Sequence, residues 1–156
     1  MKILITGGSG LLGSATAALF KDYYRTFITY TNNKVFIEGC ETYRLDITNK
    51  EEVFKVICAI QPDFVIHTAA LIGVGICENN KELAYDINVN GTKHIAEAAD
   101  TVNSRIVHIS TDYVFDGKKG MYRETDKPNP LNYYAKTKFW AEKLINKNHA
   151  IIRTSI

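Results

Sequence analysis

Tyr134 and Lys138 stand four positions apart in the string Tyr134-Ala135-Lys136-Thr137-Lys138. On a helix that spacing puts both side chains on one face, one turn apart. A free phenol titrates near pH ~10 and moves protons poorly at neutrality, but a neighbouring ammonium favours the phenolate. The pair could therefore exchange a proton with a substrate oxygen, and Lys138 could also hold a ribose hydroxyl. A surface pair is the plain alternative, because such a spacing recurs by chance. Ser110-Thr111-Asp112 closes a continuous apolar run, and ligands of open parallel sheets collect beyond the C-terminal ends of strands. Thr111 could there hydrogen-bond a carbonyl that Tyr134 protonates. Asn88 falls inside a long helical stretch, where a buried amide is costly unless satisfied. It either holds a water in a proton path or sits on the helix surface.

A second chemistry-bearing string is Gly7-Gly8-Ser9-Gly10-Leu11-Leu12-Gly13. Gly7 suits a tight turn, Gly10 a close backbone approach to pyrophosphate, and Gly13 close helix packing. Ser9, Leu11 and Leu12 complete a loop whose amides could meet phosphates at the helix start. The residues after the next apolar run, Thr31, Asn32 and Lys34, include no carboxylate for an adenosine ribose and could accept a 2′-phosphate. This favours NADP(H), with NAD(H) as the alternative; Lys34 could equally be a solvated turn residue. Asp46 and Ile47 could edge an adenine, though Asp46 could simply start a turn.

These residues need strands and helices in alternation. Residues 2–6 form a short apolar run. Leu11, Leu12, Ala15, Ala18 and Leu19 then recur at helical spacing to about Asp22. Strands are predicted at 26–31 and 42–45. Thr48, with Glu51 three residues on, predicts a capped helix that Gln61-Pro62 stops. A strand over 63–67 runs into Thr68, Ala69 and Ala70. One long helix is expected over 79–99, with Leu83, Ile87, His94, Ile95 and Ala98 near one face. A strand at 105–110, a loop over 116–132, a helix near 134–146 and a strand at 150–154 finish the pattern. Such alternation predicts an α/β fold: a Rossmann-type doubly wound parallel sheet in three αβα layers. Residues 1–156 are expected to form one NAD(P)-binding domain, without the C-terminal substrate-binding domain.

The 19 Lys and Arg nearly balance 17 Asp and Glu, so the +2 charge offers little attraction for nucleic acid or anionic membranes. No apolar run approaches the roughly 20 residues that cross a bilayer. Cys40, Cys58 and Cys77 lack the spacing of a zinc site or redox pair, and no metal is needed. With no leader pattern at the N-terminus, a cytoplasmic location is expected.

The strings TGGSGLLG, LDIT, QPDFVIHTAA, INVNGT, STDYVFDG with its downstream Tyr-x-x-x-Lys, and the terminal IIRTS span nearly the whole chain. In this order they resemble the N-terminal half of the extended short-chain dehydrogenase/reductase family, in its dTDP-4-dehydrorhamnose reductase branch. The resemblance implies hydride transfer between a nicotinamide and a nucleotide-linked keto sugar. It also implies Thr111 as the polarising hydroxyl, Tyr134 as acid/base, Lys138 as the tyrosine-tuning, ribose-binding lysine, and Asn88 as a proton-relay residue. Gly7, Gly10 and Gly13 match the pyrophosphate loop, Asp46 and Ile47 the adenine edge, and Ala69 and Ala70 the cofactor-facing strand end. Leu11 stands where the branch often has Gln, and Gly75 where it has an acid. A related branch contains the non-catalytic regulatory subunit of methionine adenosyltransferase, so a cofactor-binding regulator is an alternative. Epimerases and dehydratases are others, the latter disfavoured because Asp112 is followed by Tyr113. Because these relatives continue for another half, surfaces left uncovered could pair two copies into a homodimer.

Overall fold

A computed structural model describes residues 1–155. Six parallel strands form one sheet in the order β3-β2-β1-β4-β5-β6: β1 (Lys2–Thr6), β2 (Arg25–Tyr30), β3 (Cys40–Arg44), β4 (Phe64–His67), β5 (Arg105–Thr111) and β6 (Ala150–Thr154). The helices are α1 (Leu11–Phe20), α2 (Lys50–Ile60), α3 (Val74–Asn79), α4 (Lys81–Tyr85), α5 (Gly91–Thr101) and α6 (Tyr133–Glu142), with a π-helical turn at Asp86–Asn90.

The two-residue period of the strands divides the core. Phe27, Leu4, Val65 and Ile106 are successive register partners across β2, β1, β4 and β5, and they pack with Val53, Ile57 and Ile95 of α2 and α5. The alternating row, Ile28, Ile5 and Ile66, faces Ala17 of α1. Each fully buried Leu or Ile contributes about 1.5–3 kcal/mol, so both faces must be covered, as a parallel sheet requires. Coverage thins toward β6, where Ile152 is still 48% exposed.

Several boundaries depart from the sequence reading. The α2 N-cap is Asn49 rather than Thr48: its side chain accepts from Glu52 N, while the Thr48 amide and hydroxyl both donate to Asp46 Oδ1. Gln61 ends α2 in the left-handed region at φ 49°. The expected single helix over 79–99 is α4, the π turn and α5, preceded by the unexpected α3. A π turn inserts a residue into the helical phase. Leu83 is consequently 49% exposed while Ile95 and Ala98 are fully buried. The last helix ends at Glu142, because the amides of Lys143, Leu144 and Ile145 reach only three residues back.

Strand order reverses between β1 and β4, so the connections from these two strands leave toward opposite faces. That opens a crevice beyond their C-terminal ends, the position where doubly wound sheets place ligands. Among the described residues no helix is long and apolar enough to cross a membrane, and no group of His, Cys, Asp or Glu could hold a metal ion.

Candidate active site

A cleft of about 1000 Å³ occupies this crevice. One end is made of backbone. Gly7 takes φ +74°, and a Cβ there would lie 2.8 Å from the Ala69 backbone. A Cβ at Gly13 would strike the Gly7 carbonyl and the Thr68 hydroxyl, so only glycine lets α1 sit this close to the ends of β1 and β4. Gly10 caps α1 without a side-chain hydrogen bond, and the first turn carries no acidic residue. Amides at this helix start therefore meet the cleft beside Ser9, Leu11 and Leu12, in an arrangement suited to an anion.

Thr31, Asn32, Asp46, Ile47, Ala69 and Ala70 also line the cleft, together with Asn33 and Thr48. The Thr31 hydroxyl donates to Leu45 O at 3.0 Å. Asp46 Oδ1 accepts from the Thr48 amide at 3.0 Å and from the Thr48 hydroxyl at 2.8 Å. Lys34 is exposed and lies outside the lining residues. Gly91, which the sequence reading passed over, lets α5 press against Ile47: a Cβ there would lie 2.7 Å from its side chain.

The other end is made of side chains. Thr111 ends β5, while Tyr134 lies in the first turn of α6, which Asn132 caps by accepting from Ala135 N at 2.8 Å. Lys138 follows one turn later, and all three line the cleft. Thr111 donates to Asp112 Oδ1 at 3.2 Å and accepts from Tyr113 N at 3.2 Å. The Tyr113 ring meets the Tyr134 ring edge-on at 6.4 Å.

The electrostatics differ from the expectation of a lowered phenol. Burial raises Tyr134 above its ordinary value, and the neighbouring Thr111 hydroxyl pulls it only partly back. Lys138 is 3% exposed, and burial lowers its ammonium to about 8, opposed by the Glu142 carboxylate. Desolvation therefore outweighs the mutual help expected of the pair.

Asn88 is neither on the surface nor in the cleft lining. It is 1% exposed. Its Oδ1 accepts from Leu71 N at 2.7 Å, and its Nδ2 donates to Leu71 O at 3.0 Å and Thr137 Oγ1 at 2.9 Å. The π turn aims this amide between the segment after β4 and α6. Below it, Thr92 gives its hydroxyl proton to Asn88 O at 2.7 Å. His67 Nε2 must then donate to Thr92 (3.0 Å), and Nδ1 must accept from Thr6 Oγ1 (2.7 Å). Desolvation first, then the Lys138 charge, lowers His67 to about 3, which keeps this tautomer neutral.

Comparison with known proteins agrees with this fold. The family model described as the RmlD substrate binding domain matches residues 1–156. The chain belongs to this family. It is 40% identical to a dTDP-4-dehydrorhamnose reductase of Aggregatibacter actinomycetemcomitans, over 99% of the chain and 51% of that relative. It is 33% identical to the beta subunit of methionine adenosyltransferase 2 from Bos taurus, over 99% of the chain and 46% of that protein. Two crystal structures are close. One is a hypothetical dTDP-4-dehydrorhamnose reductase from Sulfolobus tokodaii, with TM-score 0.92 and 43% identity over 99% of this chain and 56% of that one. The other is a dTDP-4-dehydrorhamnose reductase from Bacillus anthracis in complex with NADP, with TM-score 0.80 and 32% identity over 99% and 53%. The chain spans about half the length of the curated relatives it matches.

Proposed function

We propose that this chain carries the dinucleotide-binding and proton-transferring half of an NADP(H)-dependent reductase acting on a nucleotide-linked keto sugar. The observation that carries the reading is the convergence of Thr111, Tyr134 and Lys138 on one wall of a cleft whose far end is the Gly7–Gly13 loop. The crowded glycines and the uncapped start of α1 fit a pyrophosphate, and the buried Lys138 fits a ribose hydroxyl.

When bound, the nicotinamide supplies the hydride. Tyr134 delivers the proton to the carbonyl oxygen, Thr111 orients that oxygen by turning its single hydroxyl proton from Asp112 Oδ1 to it, and Lys138 offsets the charge left on the phenolate. Tyr134 is held neutral, which suits an acid. Asn88 acts through others by fixing the Leu71 segment against α6. The preference for NADP(H) over NAD(H) rests on the turn Thr31–Asn33, which brings no carboxylate to the cleft. It also rests on the NADP complex of the Bacillus anthracis relative.

A second reading, a cofactor-binding regulatory protein, is favoured by the 33% identity to the methionine adenosyltransferase beta subunit. Titration with NADPH and NADH, followed by turnover with dTDP-4-keto sugars, separates the readings. NADPH binding at least about tenfold tighter, or roughly 1.4 kcal/mol, with consumption of the sugar supports the reductase. Binding without turnover, even with the half that the reductase relatives add also supplied, supports the regulator, and absence of binding overturns both.

A further inference from the structure

Glu142 lies one turn beyond Lys138 on α6 but does not line the cleft. Its side chain is 5% exposed. Oε1 accepts from Ser110 Oγ at 2.6 Å and from Arg153 Nε at 2.9 Å, and Oε2 accepts from Arg153 Nη2 at 2.7 Å. Ser110 precedes Thr111 on β5, and Arg153 precedes Thr154, a cleft residue, on β6. One carboxylate thus ties together three elements that build the reaction wall. The two-pronged guanidinium contact fixes direction as well as distance. Arg153 also lies over the Phe115 ring at 5.1 Å and donates to Glu124 O at 3.4 Å, tying in the loop that follows Thr111.

We propose that Glu142 is a positioning residue. Clamped by Ser110 and Arg153, its carboxylate holds α6 so that Lys138 and Tyr134 face Thr111, and it keeps a fixed negative charge one turn behind Lys138. This rests on the reading of those three residues as the reaction site.

The groups around Lys138 make the charge measurable. Tyr134 and Glu142 come from α6, His67 from β4 and His108 from β5. His67 and His108 are register partners with rings 5.3 Å apart, and burial holds both imidazoles far below their ordinary value. Burial also raises the Tyr134 phenol. All three are therefore neutral where Lys138 titrates. Among these neighbours Glu142 is the charged one; Arg153, on its far side, partly offsets it.

The test is read on the ligand-free chain, by NMR of lysine-specific isotope labels with Lys138 assigned through Lys138→Arg. Glu142→Gln preserves shape and removes the charge. It lowers the proton affinity of Lys138 by about tenfold below its already depressed level, and Glu142→Asp restores it to within about threefold. An unchanged Lys138 titration in folded Glu142→Gln overturns the proposal and leaves Glu142 a structural tie. If Glu142→Gln does not fold, Glu142→Gln/Arg153→Met removes the stranded guanidinium and is compared with Arg153→Met, so that the carboxylate is the one charge that differs. NADPH affinity of the wild-type chain is measured alongside. Failure there overturns the proposed function, while the titration still judges Glu142 by itself.

Discussion

The two ends of the cleft are built on opposite principles. Around Gly7 and Gly13 the working groups are backbone amides, and the sequence contributes mainly by leaving side chains out. Around Tyr134 and Lys138 the working groups are side chains, and the fold must hold an ammonium at 3% exposure among buried imidazoles. The first end is local: a strand, a turn and one helix create it. The second draws on β4, β5, β6, the π turn and α6, with hydrogen bonds between residues as far apart as Asn88 and Thr137. A binding end made of backbone and a reaction end made of distant side chains should fail separately.

The largest expected effect is at the reaction end. Tyr134→Phe lowers turnover of the keto sugar by about 10²–10⁴-fold, the range of a lost general acid, while NADPH affinity stays within about threefold. Equal losses in both would erase the distinction between the ends. At the binding end, Gly13→Val forces the start of α1 away from Gly7. It weakens NADPH by at least about 100-fold, or 2.7 kcal/mol, as read by fluorescence titration.

The next effect tests the long-range ties. Asn88→Ala strands the Leu71 amide and carbonyl and costs about 2–3 kcal/mol in denaturant unfolding. A loss no larger than that of an ordinary surface substitution would contradict the tie. Lys138 supplies a pH signature. Its folded value, about 8, is below its unfolded value near 10.4, so the unfolded chain binds more protons between these limits. Its contribution to stability therefore rises with pH from about 8 to about 10, and Lys138→Met removes that rise while increasing stability at pH 7 by about 3 kcal/mol. The smallest effect is Lys34→Ala. Exposed and outside the lining, Lys34 changes NADPH affinity by less than about threefold at physiological salt.

What could be read from the sequence follows the same division. The strand and helix alternation and the glycine loop are local patterns, and the parallel sheet follows from them. Thr111, Tyr134 and Lys138 could be named because their types and spacing carry chemistry. Their surroundings could not. Asn88 reads as a surface residue or a water ligand until the π turn is seen to rotate it inward, and that same inserted residue splits the expected long helix. Glu142 and Arg153 stand in different elements, and nothing in their spacing announces a clamp. The raised phenol of Tyr134 was equally hidden, because burial depends on the fold as a whole whereas the lysine four residues away is visible in the string. Lys34 shows the converse: a promising residue type next to the right strand end can still lie outside the cleft lining.

The central claim, one cleft with separable binding and reaction ends, is tested most directly by measuring NADPH affinity and keto-sugar turnover together for wild type, Tyr134→Phe and Gly13→Val. The account predicts that Tyr134→Phe binds NADPH as wild type does without turning over, and that folded Gly13→Val does not bind. Turnover by Tyr134→Phe at the wild-type rate, or unchanged NADPH binding by Gly13→Val, would contradict it.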